Sequence, residues 1–333
     1  MAAAGGRDTV SRSDAGLGDY DGLILDADGV IYRGPEPVEH SIEVLGPITE
    51  AMPWCVLTNN AANAPSVVSD KLCGLGLRAT VDNVVTSPQG AVAYLRAHGF
   101  ADGAHVLVVG GAGIEEALRD GGFVPTRDRH HNVIALVQGF GPTVGWRDLA
   151  EASYAIADGA VWVATNLDRN IPTEFGLAPG NGALVAAVRE AIGRGPDAVT
   201  GKPEPLLFEV AAERMASTRP LVIGDRLDTD IEGANRAGMD SLLVLTGVVS
   251  VNDLATLATA DPLRRPTFLA ADLRALRGST ADLRISPEAP EDVDPLSSLR
   301  RALARAWVQP EPSFETVQDL QSACLAAASE LTD

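Results

Sequence analysis

Short apolar runs that stop at polar or acidic residues alternate along this chain with stretches of helical spacing, and that alternation constrains the fold more than any other feature. Runs near 22–26, 53–58 and 83–86 are separated by helical patterns near 38–50 and 64–74. Strands interleaved with helices predict a parallel sheet wound on both sides, so the fold class is α/β with a doubly wound, Rossmann-like core. A single hydrophobic core stops growing near about 250 to 300 residues. A chain of 333 residues should therefore divide.

The division is visible between Ser87 and Pro196. There a second alternating set places strands at His105 to Val109, Val133 to Val137 and Val161 to Thr165, each followed by a helix. Thr86-Ser87-Pro88 and Gly193-Arg194-Gly195-Pro196 punctuate its ends as hinges. The expected organisation is a mobile N-terminal arm (1–18), a core (19–87 and 197–277), an inserted α/β domain (88–196) and a linker with a C-terminal helical appendage (278–333). Val248 to Leu257 should be helical and Thr267 to Leu269 the last core strand. Ser286 to Pro295 is rich in Pro, Glu and Asp, as linkers are. Leu296 to Val308 and Glu315 to Leu331 carry helical apolar spacing, for example Leu299, Leu303 and Trp307.

Four separated pieces carry the chemistry, three of them strand ends. The first is Asp26-Ala27-Asp28-Gly29-Val30 behind Leu23-Ile24-Leu25. Strand side chains alternate with a period of two, so Asp26 and Asp28 would reach toward one side. Like charges about 4 Å apart repel by roughly 4 kcal/mol at an effective dielectric of 20, a cost that a hard divalent cation removes. An Asx turn closing the strand explains the same residues equally well.

The second, Leu221-Val222-Ile223-Gly224-Asp225, repeats the design of strand then carboxylate, with Asp228 and Asp230 within one turn of the next helix. Open parallel sheets collect ligands beyond the carboxyl ends of their strands, so distant strand ends can serve one metal. Asp228 reads as a helix N-cap. Third is Gly201-Lys202-Pro203. Of 26 basic residues only Lys71 and Lys202 are lysine. Lys202 suits a task for a compact point charge, binding phosphate near carboxylates, whereas Lys71 reads as a polar helix position. Fourth is Trp54-Cys55-Val56-Leu57-Thr58-Asn59-Asn60, whose hydroxyl, amides and backbone N–H groups suit phosphate oxygens.

In this order D-A-D-G-V, T-N-N, G-K-P and G-D-R-L-D-T-D resemble the four motifs of the haloacid dehalogenase superfamily. Their spacing is similar to its class IIA group, which contains NagD-like, phosphoglycolate, pyridoxal phosphate and glycerol 3-phosphate phosphatases. The resemblance spans roughly residues 20 to 275. It implies that Asp26 is the nucleophile, forming an aspartyl phosphate, and Asp28 the general acid and base. It further implies that Mg²⁺ is held by Asp26, the Asp28 carbonyl and Asp225, with Asp230 supporting, and that Lys202 neutralises charge. Gly29, Thr58, Asn59 and Asn60 would bind substrate. A carboxylate two residues after the nucleophile argues for phosphate esters over halides, because a halide leaves without an acid. Phosphomutases share both aspartates and are the nearest enzymatic alternative.

The resemblance also implies that the inserted domain is a cap that closes over substrate, excludes water and sets specificity. In it, Ala164-Thr165-Asn166-Leu167-Asp168 and Pro179-Gly180-Asn181-Gly182 resemble segments that face the active site. Asn166 and Asp168 read equally as substrate contacts and as ordinary turn residues. Two decoys are set aside. Val108 to Gly113 lacks the third glycine of a dinucleotide fingerprint, Glu116 standing in its place, so a tight strand-to-helix turn is expected. His130-His131 has no companion ligands with zinc spacing and reads as a charged loop.

A net charge of −19 and pI near 4.6 exclude nucleic acid as a partner, since backbone phosphates need basic surface. No apolar stretch predicts membrane insertion or a signal peptide. Cys55, Cys73 and Cys324 form no pairing framework and read as core thiols of a reducing cytoplasm. The expected activity is Mg²⁺-dependent hydrolysis of a small phosphorylated metabolite. Glycerol 3-phosphate ranks first, because the arginine-rich, lysine-poor composition resembles that of high-GC actinobacteria, whose class IIA members include such an enzyme. Phosphoglycolate or another small phosphomonoester, phosphate transfer in place of hydrolysis, and a non-catalytic binding or scaffold protein are the alternatives. Self-association through the cap or the appendage is a possible use of those surfaces.

Overall fold

The computed structural model describes residues 17–173, 175–256, 261–291, 293–308 and 314–332. The expected N-terminal arm lies outside them except for its last two residues, as does Leu257 at the end of the expected 248–257 helix. The chain forms two compact units. The first takes residues up to Trp54, Leu75–Arg78 and Met215 onward, and the second Cys55–Gly74 and Ala79–Arg214.

In the first unit four parallel strands lie side by side in the order Phe268–Ala270, Asp240–Val244, Pro220–Gly224 and Gly22–Asp26. Every residue of Pro220–Gly224 is buried. Successive residues point to opposite faces, so both faces are covered, which is why these strands read as unbroken apolar runs. Register is set in part by Asp21, whose carboxylate accepts the Thr218 and Arg219 N–H groups at 2.9 Å each and the hydroxyls of Ser217 and Thr218. These bonds tie the entrance of Gly22–Asp26 to that of Pro220–Gly224, and the strands run in step with Leu25 opposite Ile223.

The C-terminal helices Ser297–Val308 and Phe314–Thr332 belong to this unit's core. Leu296, Leu299, Leu303, Leu320 and Cys324 pack in one buried cluster with Leu243, Val249, Val251, Leu254 and Leu269. Arg300 is fully buried: its guanidinium donates to the Leu269 carbonyl at 2.7 and 2.9 Å and forms a two-pronged pair with Asp294. The edge strand's outward carbonyl thereby finds a charged donor inside the apolar cluster.

In the second unit five parallel strands run in the order Ala198–Val199, Val161–Ala164, Ala135–Gln138, His105–Val109 and Val124–Thr126. Val106 and Val108 enter one buried cluster with Leu95, Ile114 and Leu118. Leu107 and Val109 enter another with Ile156, Trp162 and Val188. This period-two partition shows helices covering both faces. Gly110, at φ 155°, closes the turn from His105–Val109 into the helix Ala112–Asp120, the tight turn expected there. Also in this unit, Thr58 ends the strand Trp54–Thr58 and pairs in register with Thr86 of Val84–Thr86. Two antiparallel hairpins, Tyr32–Arg33 with Glu36–Pro37 and Asn170–Thr173 with Gly176–Pro179, were not expected from the sequence. No helix among the described residues is long and apolar enough to cross a membrane.

Candidate active site

Asp26 ends the strand Gly22–Asp26, and Asp225 directly follows its neighbour Pro220–Gly224, so both leave the same edge of the sheet. Asp230 comes from the wide π-helical turn Leu227–Ile231. One carboxylate oxygen from each of the three lies within 4.8 Å of the others, and Asp225 and Asp230 are buried. At that separation each pair repels by roughly 3 to 4 kcal/mol at an effective dielectric of 20. Three hard oxygen donors converging from fixed strand ends suit a hard divalent cation, which would offset the repulsion.

The backbone holds these carboxylates closely. Val248 N–H donates to Asp225 Oδ2 at 2.7 Å, and Arg226 N–H to Asp230 Oδ2 at 3.1 Å. Glycine is required on several sides: a Cβ at Gly29 or Gly247 would overlap the Asp225 carboxylate, and one at Gly224 would overlap Asp230. Gly29, at φ 86°, donates its N–H to the Tyr32 carbonyl at 2.8 Å, and its own carbonyl accepts from the Thr246 hydroxyl at 2.6 Å. Both polar groups of its backbone are thus engaged within the unit.

The strand stops at Asp26, so the period of two ends before Asp28. Asp28 is exposed and stands in the turn that follows, where Ile31 N–H returns to the Ala27 carbonyl at 3.0 Å. Asp228 is not an N-cap. Its carboxylate sits inside the π-helical turn and takes two bonds from the Arg226 guanidinium at 3.0 and 3.1 Å. Burial pushes this carboxyl up, but the Arg226 bonds and charge outweigh it and hold the group below its ordinary value.

In the second unit the Asn59 side chain joins Lys202 and Asp168. The Asn59 amide pairs with both backbone groups of Lys202, accepting its N–H at 2.8 Å and donating to its carbonyl at 3.0 Å. The same amide nitrogen donates to Asp168 Oδ2 at 3.1 Å, and the Asn59 carbonyl accepts from Asn166 at 2.8 Å and Ser87 at 3.0 Å. Lys202 is 5% exposed, with its ammonium 3.4 Å from the Leu57 carbonyl. Gly201 leaves no room for a Cβ against the Thr165 carbonyl and Asn59. Thr58 Oγ1 accepts Asn60 N–H at 3.1 Å, and Asn60 Oδ1 accepts Ala62 N–H at 2.9 Å.

Asn166 and Asp168 are therefore engaged with Asn59, and Asn166 is buried. Asp168 accepts from the Asn59 amide that pairs with the Lys202 backbone, and Asn166 holds the Asn59 backbone carbonyl. Sequence reasoning missed Asn59 as a hub, and it missed Thr246-Gly247-Val248. The available signal for the latter was another strand, Asp240–Val244, running into small residues, the pattern that marks the other site segments.

A family profile described as haloacid dehalogenase-like hydrolase matches residues 23–124, and one described as HAD-hydrolase-like matches residues 199–276. The D-glycerol 3-phosphate phosphatase of Mycobacterium tuberculosis is 44% identical over 276 residues, 83% of this chain and 76% of the relative. An acid sugar phosphatase of Staphylococcus aureus (strain USA300) is 32% identical over 71% of this chain and 90% of its own length. The crystal structure of a glycerol phosphate phosphatase from Mycobacterium tuberculosis in complex with magnesium superposes with a TM-score of 0.82 at 39% identity, covering 92% of this chain and 98% of that one. A p-nitrophenyl phosphatase from Archaeoglobus fulgidus gives 0.71 at 26% identity, over 78% and 98%. With strand-end carboxylates in the order its motifs require, the chain belongs to the haloacid dehalogenase superfamily, among its class IIA, NagD-like phosphatases.

Proposed function

We propose that this phosphatase hydrolyses glycerol 3-phosphate to glycerol and phosphate with Mg²⁺ as cofactor, through an aspartyl phosphate on Asp26. The observation that carries the reading is the gathering of Asp26, Asp225 and Asp230 at adjoining strand ends. The similarity to a glycerol 3-phosphate phosphatase supports the substrate. Asp26, Asp225 and Asp230 would hold the metal, together with the Asp28 carbonyl. When bound, the ion would neutralise the crowded carboxylates and the phosphate charge.

In the first step an Asp26 carboxylate oxygen attacks phosphorus, and the bond from phosphorus to the glycerol oxygen breaks. Asp28, as the acid, gives that oxygen its proton. In the second step the Asp28 carboxylate takes a proton from water, whose oxygen attacks phosphorus as the bond to Asp26 breaks, releasing phosphate and restoring both carboxyls. Exposure suits Asp28 to both proton transfers, since it must meet an alcohol and then water. Thr58 would bind the transferring group with its hydroxyl and Lys202 with its charge, and Asn60 and the Gly29 backbone would contact substrate. Asn59, Asn166 and Asp168 contribute by fixing Lys202. Residues 88–196 would act as the cap that selects the alcohol, on a core of 19–87 and 197–277.

Cys55 and Cys324 are buried thiols, whereas Cys73 is exposed and not the core thiol expected, and the three free thiols support a cytoplasmic setting. The test is phosphate release from glycerol 3-phosphate, phosphoglycolate and sugar phosphates, with Mg²⁺ or with a chelator, by wild type and Asp26→Asn. Mg²⁺-dependent release that favours glycerol 3-phosphate and vanishes in a folded Asp26→Asn is expected. Equal activity in the variant would overturn the mechanism, and preference for another ester would reassign the substrate.

A further inference from the structure

The loop after the strand Asp240–Val244 touches both halves of the acidic site. Thr246 Oγ1 donates to the Gly29 carbonyl at 2.6 Å, and its own carbonyl accepts from the Arg33 guanidinium of the Tyr32–Arg33 hairpin strand. Two residues on, Val248 N–H donates to Asp225 Oδ2 at 2.7 Å, and Val249 N–H reaches the Asp225 carbonyl at 3.3 Å. Between them Gly247 lies so close to Asp225 that any side chain would displace the carboxylate. The loop is itself anchored at both ends. Leu245 N–H bonds the Ala270 and Ala271 carbonyls at 3.2 and 3.1 Å, and Val249 and Val251 are buried in the cluster shared with the C-terminal helices.

We propose that Thr246-Gly247-Val248 is the positioning element of this active site, setting the turn that carries Asp28 and the rotation of the Asp225 carboxylate together. Holding one oxygen of a carboxylate fixes where the other points, so Val248 N–H and the bare Gly247 determine how Asp225 meets the cation. The Thr246 hydroxyl fixes the Gly29 carbonyl, one residue beyond Asp28, and hence where the general acid stands. Groups that orient ligands from behind in this way are worth about 10- to 100-fold in metal affinity or activity when removed.

The inference rests on the reading of Asp26, Asp225 and Asp230 as a Mg²⁺ site, and its test separates the two. Mg²⁺ binding by calorimetry, the unfolding midpoint with and without Mg²⁺, and kcat and KM would be measured on the full chain for wild type, Gly247→Ala, Thr246→Val and Thr246→Ser. Gly247→Ala should weaken Mg²⁺ binding by about tenfold or more. Thr246→Val should lower kcat by about tenfold with KM little changed, and Thr246→Ser, which keeps the hydroxyl, should recover most of it. Wild-type Mg²⁺ affinity in Gly247→Ala, or Thr246→Ser as impaired as Thr246→Val, would overturn the inference. Should Gly247→Ala fail to fold, the Thr246 pair decides alone. A folded wild type that binds no Mg²⁺ would instead overturn the metal reading beneath it.

Discussion

The two units each gather charge at strand ends, but of opposite sign and by opposite means. In the first, three carboxylates crowd within 4.8 Å, held by backbone N–H groups of Val248 and Arg226 and by glycines that let the main chain come close. In the second a single buried lysine is fixed through its own backbone, both polar groups of which pair with the Asn59 amide. The difference teaches what each charge needs. Gathered carboxylates require rigid donors and a cation to relieve repulsion, whereas a flexible lysine stem requires a fixed point of departure.

Removing one carboxylate tests the first half of the comparison most severely. Asp225→Asn should lower kcat/KM by at least about 1,000-fold, while unfolding without metal shifts little because one repulsive charge is gone. The rise in unfolding midpoint on adding Mg²⁺ should disappear. A folded Asp225→Asn whose unfolding midpoint still rises with Mg²⁺ as in the wild type would show that Asp225 does not hold the metal.

For the second unit, Lys202→Arg keeps the charge but substitutes a planar fork for a compact ammonium. Turnover should fall by about 100-fold with folding preserved, and near-normal turnover would show that charge alone suffices. Asn59→Ala leaves the Lys202 backbone groups without that amide, so the protein should lose about 1 to 3 kcal/mol of stability by denaturant titration. Turnover should fall by about tenfold, through Lys202.

Asp21 provides the contrast of an acid satisfied entirely within the fold. Burial pushes its carboxyl up, yet the bonds from Ser217, Thr218 and Arg219 outweigh this and hold it well below its ordinary value of 3.8. A folded-state pKa that is depressed contributes stability above the unfolded pKa and loses it as pH falls toward the folded value. Below about pH 4 the wild type should therefore lose stability faster than Asp21→Asn. Parallel pH profiles for the two proteins would show that the Asp21 bonds contribute nothing.

Much of this was legible in the sequence where burial is two-sided. Gly22–Asp26, Trp54–Thr58 and His105–Val109 were expected to within a residue, because unbroken apolar runs bounded by polar residues leave little choice. Helical spacing likewise marked Ser297–Val308 and Phe314–Thr332, but not the surface on which they dock, since periodicity shows a face and not its partner. The hairpins Tyr32–Arg33/Glu36–Pro37 and Asn170–Thr173/Gly176–Pro179 went unseen: their strands are short and largely exposed, and carry no apolar alternation. The helix expected from Val248 starts at Val251 instead, and the Val248 and Val249 N–H groups are engaged with Asp225. In the site, the acidic residues announced themselves by type. The residues that hold them act through backbone atoms, as at Gly247 and Val248, and their only mark in the sequence is the run of small residues after the strand Asp240–Val244.

The most direct test of the account is to quench the enzyme in acid during turnover of glycerol 3-phosphate with Mg²⁺ and to weigh its peptides. A phosphoryl group on the peptide containing Asp26, absent when Asp26→Asn is treated alike, is the predicted result. Turnover by the wild type with the phosphoryl group on another residue, or continued turnover by Asp26→Asn, would contradict it.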